Sequence, residues 1–374
     1  MNKLLGYFLL PTLLFLGSIG IVGQTLKVGV MLPLHDENGD GKRMVEYYRG
    51  LLMGCDSMRS GGVTIGVHAW NLPENGNPAD ILKDPEAAKC DIIFGPLYSK
   101  QVKALADFTK AHQQKLVIPF STVSTEVNHN SSVFQVFQNM ATFNESVVTR
   151  FMEQFKKCHP VIIDCNDTTV TSRGVFTTLL RQRLDAAGIS YNITNLNSPD
   201  DGFAKAFNKD KRNIVVLNSA RESALRDAFA KLKAMKGKRP DANVEMFGYT
   251  DWLTYAKNWQ EDFYKFSVYV PSTYYYNDKT SATRRFLQKY RWNFHQDMLP
   301  QEPHFAVTGF DHAYYFLRGI YIYGKGFTGA KGTVRYEPIQ TPLEFTTLKG
   351  GGMQNHSLLF VHFLPEHRVE TVKY

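Results

Sequence analysis

The stretch that most constrains this chain runs from Cys90 to Gln101, CDIIFGPLYSKQ. Ile92-Ile93-Phe94 is a short unbroken apolar run, the pattern of a strand buried on both faces as in a parallel sheet. Gly95-Pro96 stops it, and Ser99 is a good N-cap for a following helix that turns Val102, Leu105, Ala106 and Phe108 inward. A strand that ends in a small turn and opens a helix presents backbone N–H groups and a hydroxyl at the carboxyl edge of its sheet. In open α/β sheets that edge is where ligands bind, and a helix N-terminus favours anionic groups there. One such turn alone is an ordinary βα connection; the surrounding pattern gives it weight.

That pattern alternates. Leu26–Leu34 reads as a first strand, and His35–Lys42 as a polar loop. Tyr48, Leu51, Leu52, Cys55 and Met58 then mark the apolar face of a helix. Val63–Trp70 and Lys115–Phe120 are further strands, so the first third of the chain predicts a parallel sheet covered by helices. The unit restarts after Thr142-Phe-Asn-Glu145, which has the form of a capping box. Strands follow at Val161–Ile163, Asn213–Leu217 and Val244–Gly248, and a second capping box, Ser219-Ala-Arg-Glu222, opens a helix bearing Leu225, Ala228, Phe229 and Leu232. Later come Phe266–Val270 and an aromatic run Tyr274-Tyr275-Tyr276, helices over Thr283–Phe294 and Phe305–Tyr323, a short strand Thr333–Tyr336 and a terminal strand Ser357–Phe363. These late elements are too few for a domain, so they complete the two earlier sheets.

Residues 1–23 differ from the rest: Lys3 precedes the apolar run Leu4–Leu16, and small residues follow. This is the form of a secretory signal peptide, with Gln24 as the new N-terminus; Gly17, Ser18 and Gly20 argue against a permanent anchor. With no cysteine at the cleavage point, the expectation is a periplasmic or secreted protein that is not a lipoprotein and has no membrane span after cleavage. The net charge of +8 is dispersed, and its densest cluster, Lys231 to Arg239, suits a solvated helix end. Basic and aromatic residues are not interleaved as on a nucleic-acid surface, so nucleic acid is excluded as a partner. Cys55 and Cys90 read as core thiols, and an extended strand between Cys158 and Cys165 holds those two too far apart to bridge.

Other signals carry no chemistry. Gly324-Lys-Gly-Phe-Thr-Gly329 has dinucleotide-binding spacing, yet it follows a helix-like stretch and precedes a strand, the reverse of the context that motif needs. Common hydrolase and zinc-protease signatures do not occur, and the eleven histidines are scattered. No catalytic group, metal site or cofactor is expected.

In order and spacing, several segments resemble type I periplasmic solute-binding proteins of the branched-chain amino acid receptor kind. They are Lys27–Pro33, Tyr48-Arg-Gly50, Asp91–Leu97, Val117–Pro119 before Ser121-Thr122, Thr308–Ala313, the glycine-rich Gly324–Tyr336 and Gly350–Asn355. The resemblance implies an α/β fold of two doubly wound parallel-sheet lobes joined by three crossovers, with Gly324–Tyr336 as one crossing. The lobes would comprise residues 24–138 plus 275–330 and residues 139–274 plus 331–374. It also implies a ligand trapped between the lobes. Tyr98, Ser99, Ser121 and Thr122 would line the first wall; Asn166, Asp167, Asn218, Ser219, Tyr249 and Asp251 would line the second, with Trp70 as a stacking surface. Asp251 would pair with a ligand ammonium. The bulky Pro96-Leu97-Tyr98 departs from the small Ser/Thr-rich turn of amino-acid receptors. The function expected is non-enzymatic capture of a small polar, amino-acid-like solute for an ABC permease or for sensing. Two alternatives are a fold-related regulator or scaffold of cell-wall synthesis, partnered by a cell-wall enzyme, and a glycosyltransferase-like enzyme.

Overall fold

The structure, a computed structural model, describes residues 25–121, 124–168 and 172–374. The signal-peptide segment 1–23 and the candidate Thr122 lie outside these residues. The chain first lays down β1 (Leu26–Leu32), α1 (Gly39–Ser60), β2 (Ile65–Asn71), α2 (Pro78–Ile81), α3 (Pro85–Ala88), β3 (Ile92–Phe94), α4 (Ser99–Ala111), β4 (Lys115–Ile118) and β5 (Val133–Gln135). It then forms α5 (Met140–Gln154), β6 (His159–Asp164), α6 (Ser172–Ala186), β7 (Asn192–Asn195), α7 (Asp200–Ala204), β8 (Asn213–Leu217), α8 (Glu222–Lys238), β9 (Val244–Phe247), α9 (Trp252–Tyr255), α10 (Gln260–Lys265) and β10 (Tyr269–Ser272). Last come α11 (Ser281–Phe294), α12 (Phe305–Tyr323), β11 (Phe345–Thr347), β12 (Met353–Asn355), β13 (Leu359–Leu364) and β14 (Arg368–Lys373).

The strands assemble into two seven-stranded sheets, in the orders β11-β12-β5-β4-β3-β1-β2 and β14-β13-β10-β9-β8-β6-β7. β1 to β5 pair in parallel with one another, as do β6 to β10, whereas β11–β12, β10–β13 and β13–β14 are antiparallel. The apolar runs explain the parallel arrangement. In β3 all three residues are buried: Ile92 and Phe94 enter one core with Val28, Val30 and Phe316, and Ile93 enters the other with Met31, Leu105 and Leu116. Helices on both faces are what make both sides of such a strand apolar.

α1 and α12 meet at small residues. A Cβ on Gly50 would lie 1.7 Å from the Ala306 carbonyl oxygen, and one on Gly309 2.0 Å from that of Tyr47, so the two backbones approach as only glycine permits. Gly95, at φ +135°, is constrained in the same way: a Cβ there would lie 2.1 Å from the Met31 carbonyl oxygen.

Strand pairing corrects the placement of the C-terminal segment. Residues 331–355, expected in the second lobe, belong to the first: Met353 pairs with Phe134 of β5, and β11 extends that sheet. The chain crosses between sheets after β5, after β10 and after β12, so Gly324–Tyr336 is not a crossing. The expected strand Thr333–Tyr336 is irregular chain instead. Asp311, fully buried on α12, fixes it by accepting the Tyr336 hydroxyl and the backbone N–H groups of Ile339, Gln340 and Thr341 at 3.0, 2.9 and 2.8 Å. Burial pushes the Asp311 carboxyl up to about 6, and its hydrogen bonds pull the other way.

Both capping boxes are corrected too. α5 begins earlier, with Asn139 accepting the Thr142 N–H at 2.9 Å, and α8 begins at Glu222 with no side-chain cap. Ser99 is the first residue of α4 rather than its cap; Tyr98 holds the cap position and makes no capping bond. All four cysteines are free.

Candidate functional site

The first crossover fixes where a site can form. β5 ends at Gln135, on the carboxyl edge of the first sheet, and Met140 opens α5. Because α5 leads into β6, its N-terminus sits at the carboxyl edge of the second sheet. The link between Gln135 and Met140 spans at most about 18 Å, so the two carboxyl edges are held close where the chain crosses.

On the first wall Ser99 and Ser121 come together, their hydroxyls 2.8 Å apart, and the Ser121 carbonyl accepts from the Gln135 side chain at 2.8 Å. Tyr98 donates to Asp40 at 3.1 Å, and burial, reinforced by that carboxylate, pushes its hydroxyl up to about 12. Asp40 also pairs with Arg43, whose guanidinium lies 6.0 Å from the centre of the Phe305 ring. α4 has no side-chain cap, and its Gln101 N–H returns to the Tyr98 carbonyl at 3.0 Å; the start of a helix in this form suits an anion.

On the second wall the Ser219 hydroxyl donates to Asp167 at 2.7 Å, with the Arg221 guanidinium 3.5 Å from the same carboxylate oxygen. Asn218 bridges the Cys165 N–H (2.8 Å) and Asp164 (2.9 Å). Asn166, at φ +55°, exchanges side-chain hydrogen bonds with Asn195 at 3.1 and 2.7 Å. Tyr249 is buried and gives its hydroxyl to the Leu217 carbonyl, with its ring edge-on to Phe176 and Trp252. Asp251 lines a small cavity of about 80 Å³ together with Asn144, Tyr249, Thr250 and Pro271.

The candidates thus fall into clusters: Tyr98–Ser99–Ser121 on one lobe, Asp167–Ser219 and Asn166–Asn218 on the other, and Tyr249–Asp251 beside α5. Trp70 stands apart. Its indole donates to Asp84 at 3.0 Å and stacks on His68 at 4.1 Å, and it packs against the core beneath α4.

Sequence reasoning missed four residues near these walls. Asp40 lies in the stretch His35–Lys42 that reads as polar loop and Arg43 directly follows it; both belong to the first turns of α1, which follows β1 as the Tyr98 turn follows β3. Tyr274 and Glu302 come from the second crossover and the loop before α12. Tyr274, pushed up to about 12 chiefly by burial, also feels the charges of Glu302 and Asp251. Among the described residues no group of three or more His, Cys, Asp or Glu could hold a metal ion, and no helix is long and apolar enough to cross a membrane.

No protein-family model matches the sequence, and no curated protein does. Solved structures do match. A putative branched-chain amino acid ABC transporter from Rhodospirillum rubrum superposes with a TM-score of 0.63 at 12% identity, covering 93% of this chain and 100% of that one. An ABC-type branched-chain amino acid transporter from Rhodopseudomonas palustris gives 0.55 at 15% identity, over 93% and 95%. Full-length LpoA from Haemophilus influenzae gives 0.57 at 13% identity; 93% of this chain covers 59% of LpoA, so that likeness is to part of the larger protein. The fold is therefore the two-lobed α/β fold of ABC substrate-binding proteins. Identities this low define a fold and leave the ligand open.

Proposed function

We propose that the protein is an exported, non-enzymatic solute-binding protein that closes its two lobes on a small polar ligand and hands it to an ABC permease or a sensor. The observation that carries this reading is the pair of carboxyl edges joined by the short first and third crossovers. The first wall offers hydroxyls and the uncapped N-terminus of α4, which suit a carboxylate. The second offers Asp251, in the cavity beside α5, which suits an ammonium group. A zwitterionic, amino-acid-like solute satisfies both. Tyr98, Ser99, Ser121, Asn166, Asp167, Asn218, Ser219, Tyr249 and Asp251 form the proposed site, Thr122 stays in it from its sequence position, and Trp70 is left out. Binding energy would shift an open-to-closed equilibrium, because only the closed form touches the ligand from both lobes.

The second reading, a regulator or scaffold of cell-wall synthesis, draws on the LpoA likeness and on how fully the wall side chains bond to one another. A thermal-shift screen of the protein against amino acids, nucleosides, sugars and cell-wall fragments separates the two. A bound solute at about a hundred times its Kd adds about 3 kcal/mol and raises the melting temperature by several degrees. Ser99→Ala and Asp251→Ala should each weaken that ligand. No shift with any small molecule, together with capture of a cell-wall enzyme, overturns solute binding in favour of the scaffold.

A further inference from the structure

A second concave site lies on the first lobe, lined by the helices α1, α11 and α12 and by residues 335–339. It encloses about 440 Å³, within the range of small-molecule sites. Four aromatic rings make its floor in an unbroken chain: Phe286 edge-on to Phe310 at 5.3 Å, Phe310 stacked on Tyr314 at 6.1 Å, and Tyr314 against Tyr336 at 5.2 Å. The site is preformed. Asp311 clamps Tyr336 and the following backbone, and the glycine contact between α1 and α12 sets the helix that holds Phe310 and Tyr314.

The rim has one sign. Arg285 and Lys289 rise from successive turns of α11, and Arg335 comes from the clamped segment opposite. None of the three makes an ion pair or a side-chain hydrogen bond with another described residue. The single carboxylate of the lining, Glu337, is already paired with Lys373 of β14. Unpaired cations ordinarily spread over a surface; here three converge on an aromatic hollow. A low-dielectric floor strengthens the attraction of such a ring of charge for an anion, and arginine forks match carboxylate and phosphate oxygens in pairs.

We propose that this pocket binds an anionic amphiphile, a small molecule whose apolar body lies on the Phe286–Phe310–Tyr314–Tyr336 floor and whose single carboxylate or phosphate is held by Arg285, Lys289 and Arg335. None of the residues lining this pocket is among those proposed for the cleft between the lobes.

The test is titration calorimetry of the whole protein with decanoate, decyl phosphate and decanol as probes. Decanoate or decyl phosphate should bind, and whichever binds tighter tells a carboxylate from a phosphate ligand. Decanol should bind at least about tenfold more weakly, since it lacks the charge-assisted contacts. Affinity for the anions should fall as salt is raised. The double variant R285Q/R335Q should lose at least about tenfold in anion affinity. Ala282→Trp, on the exposed start of α11, should fill the pocket and abolish binding while the melting temperature stays near that of the parent. The proposal is overturned if decanol binds as well as decanoate, if R285Q/R335Q and Ala282→Trp both bind as the parent does, or if neither anion binds at up to about 1 mM.

Discussion

Glu46 offers a sharp test of how burial sets charge in this fold. It lies on α1 and is only 2% exposed. One carboxylate oxygen accepts the Leu299 N–H at 2.9 Å; the other has no hydrogen-bond partner among the described residues. Loss of hydration raises its pKa to about 7 from the ordinary 4.5, and the Leu299 hydrogen bond and the Arg49 charge offset only part of the effect. A carboxyl whose folded pKa is raised binds more protons folded than unfolded between those two values. Its contribution is therefore fully favourable below about 4.5 and is lost as pH rises through about 7. The gap corresponds to about 3 kcal/mol of stability at pH values above both.

Glu46→Gln removes the titration and keeps the oxygen that accepts from Leu299. The variant should therefore exceed the parent by about 3 kcal/mol near pH 8 beyond any fixed effect of the substitution, and by less than about 1 kcal/mol near pH 5. Urea unfolding of both proteins at the two pH values measures this. Asp311 and His312 titrate in parent and variant alike, so they cancel in the difference. A parent–variant gap that stays the same at pH 5 and pH 8 refutes the reasoning.

Other tests address packing, thiols and the cleft. Gly309→Ala places a methyl group 2.0 Å from the Tyr47 carbonyl oxygen, a backbone atom that cannot step aside, so denaturant unfolding should show a loss above about 2 kcal/mol; a loss below about 0.5 kcal/mol would mean that α1 and α12 separate easily. Burial pushes the thiols of Cys55, Cys90 and Cys165 up to about 12, so a thiol reagent at pH 8 should label the native protein slowly and all four cysteines quickly in urea; fast labelling of the native protein contradicts the buried placement. Once a cleft ligand is found, Trp70→Phe should leave its affinity unchanged, because the indole is committed to Asp84; a tenfold loss by calorimetry would return Trp70 to the site.

Much of the architecture was legible because its cause is local. Ile92–Phe94 and Asn213–Leu217 announce strands buried on both faces, and the apolar faces of α1, α8 and α12 follow helical spacing. The βα turns at Tyr98, Asn218 and Tyr249 were found for the same reason: a strand stop followed by a helix start is written within a few residues. Residues 331–355 were misplaced because their sheet is chosen by β5, more than two hundred positions upstream, through backbone bonds that leave no periodic trace. Helix starts slipped where the incoming chain selects the cap, as with Asn139 at the end of a crossover.

The candidate site divides along the same line. The amino-acid sequence by itself determined which short segments become strand ends, and hence which residues could stand at a carboxyl edge. Tertiary structure alone decided that Ser99 meets Ser121, that Tyr98 finds Asp40, that Ser219 turns to Asp167, and that Trp70 is drawn away to Asp84. It also decided that three cations share one aromatic hollow. Local pattern reflects the burial of each residue against its own neighbours in the chain. Partnership between side chains is set by how distant segments pack, and that information lies in no single stretch of the chain.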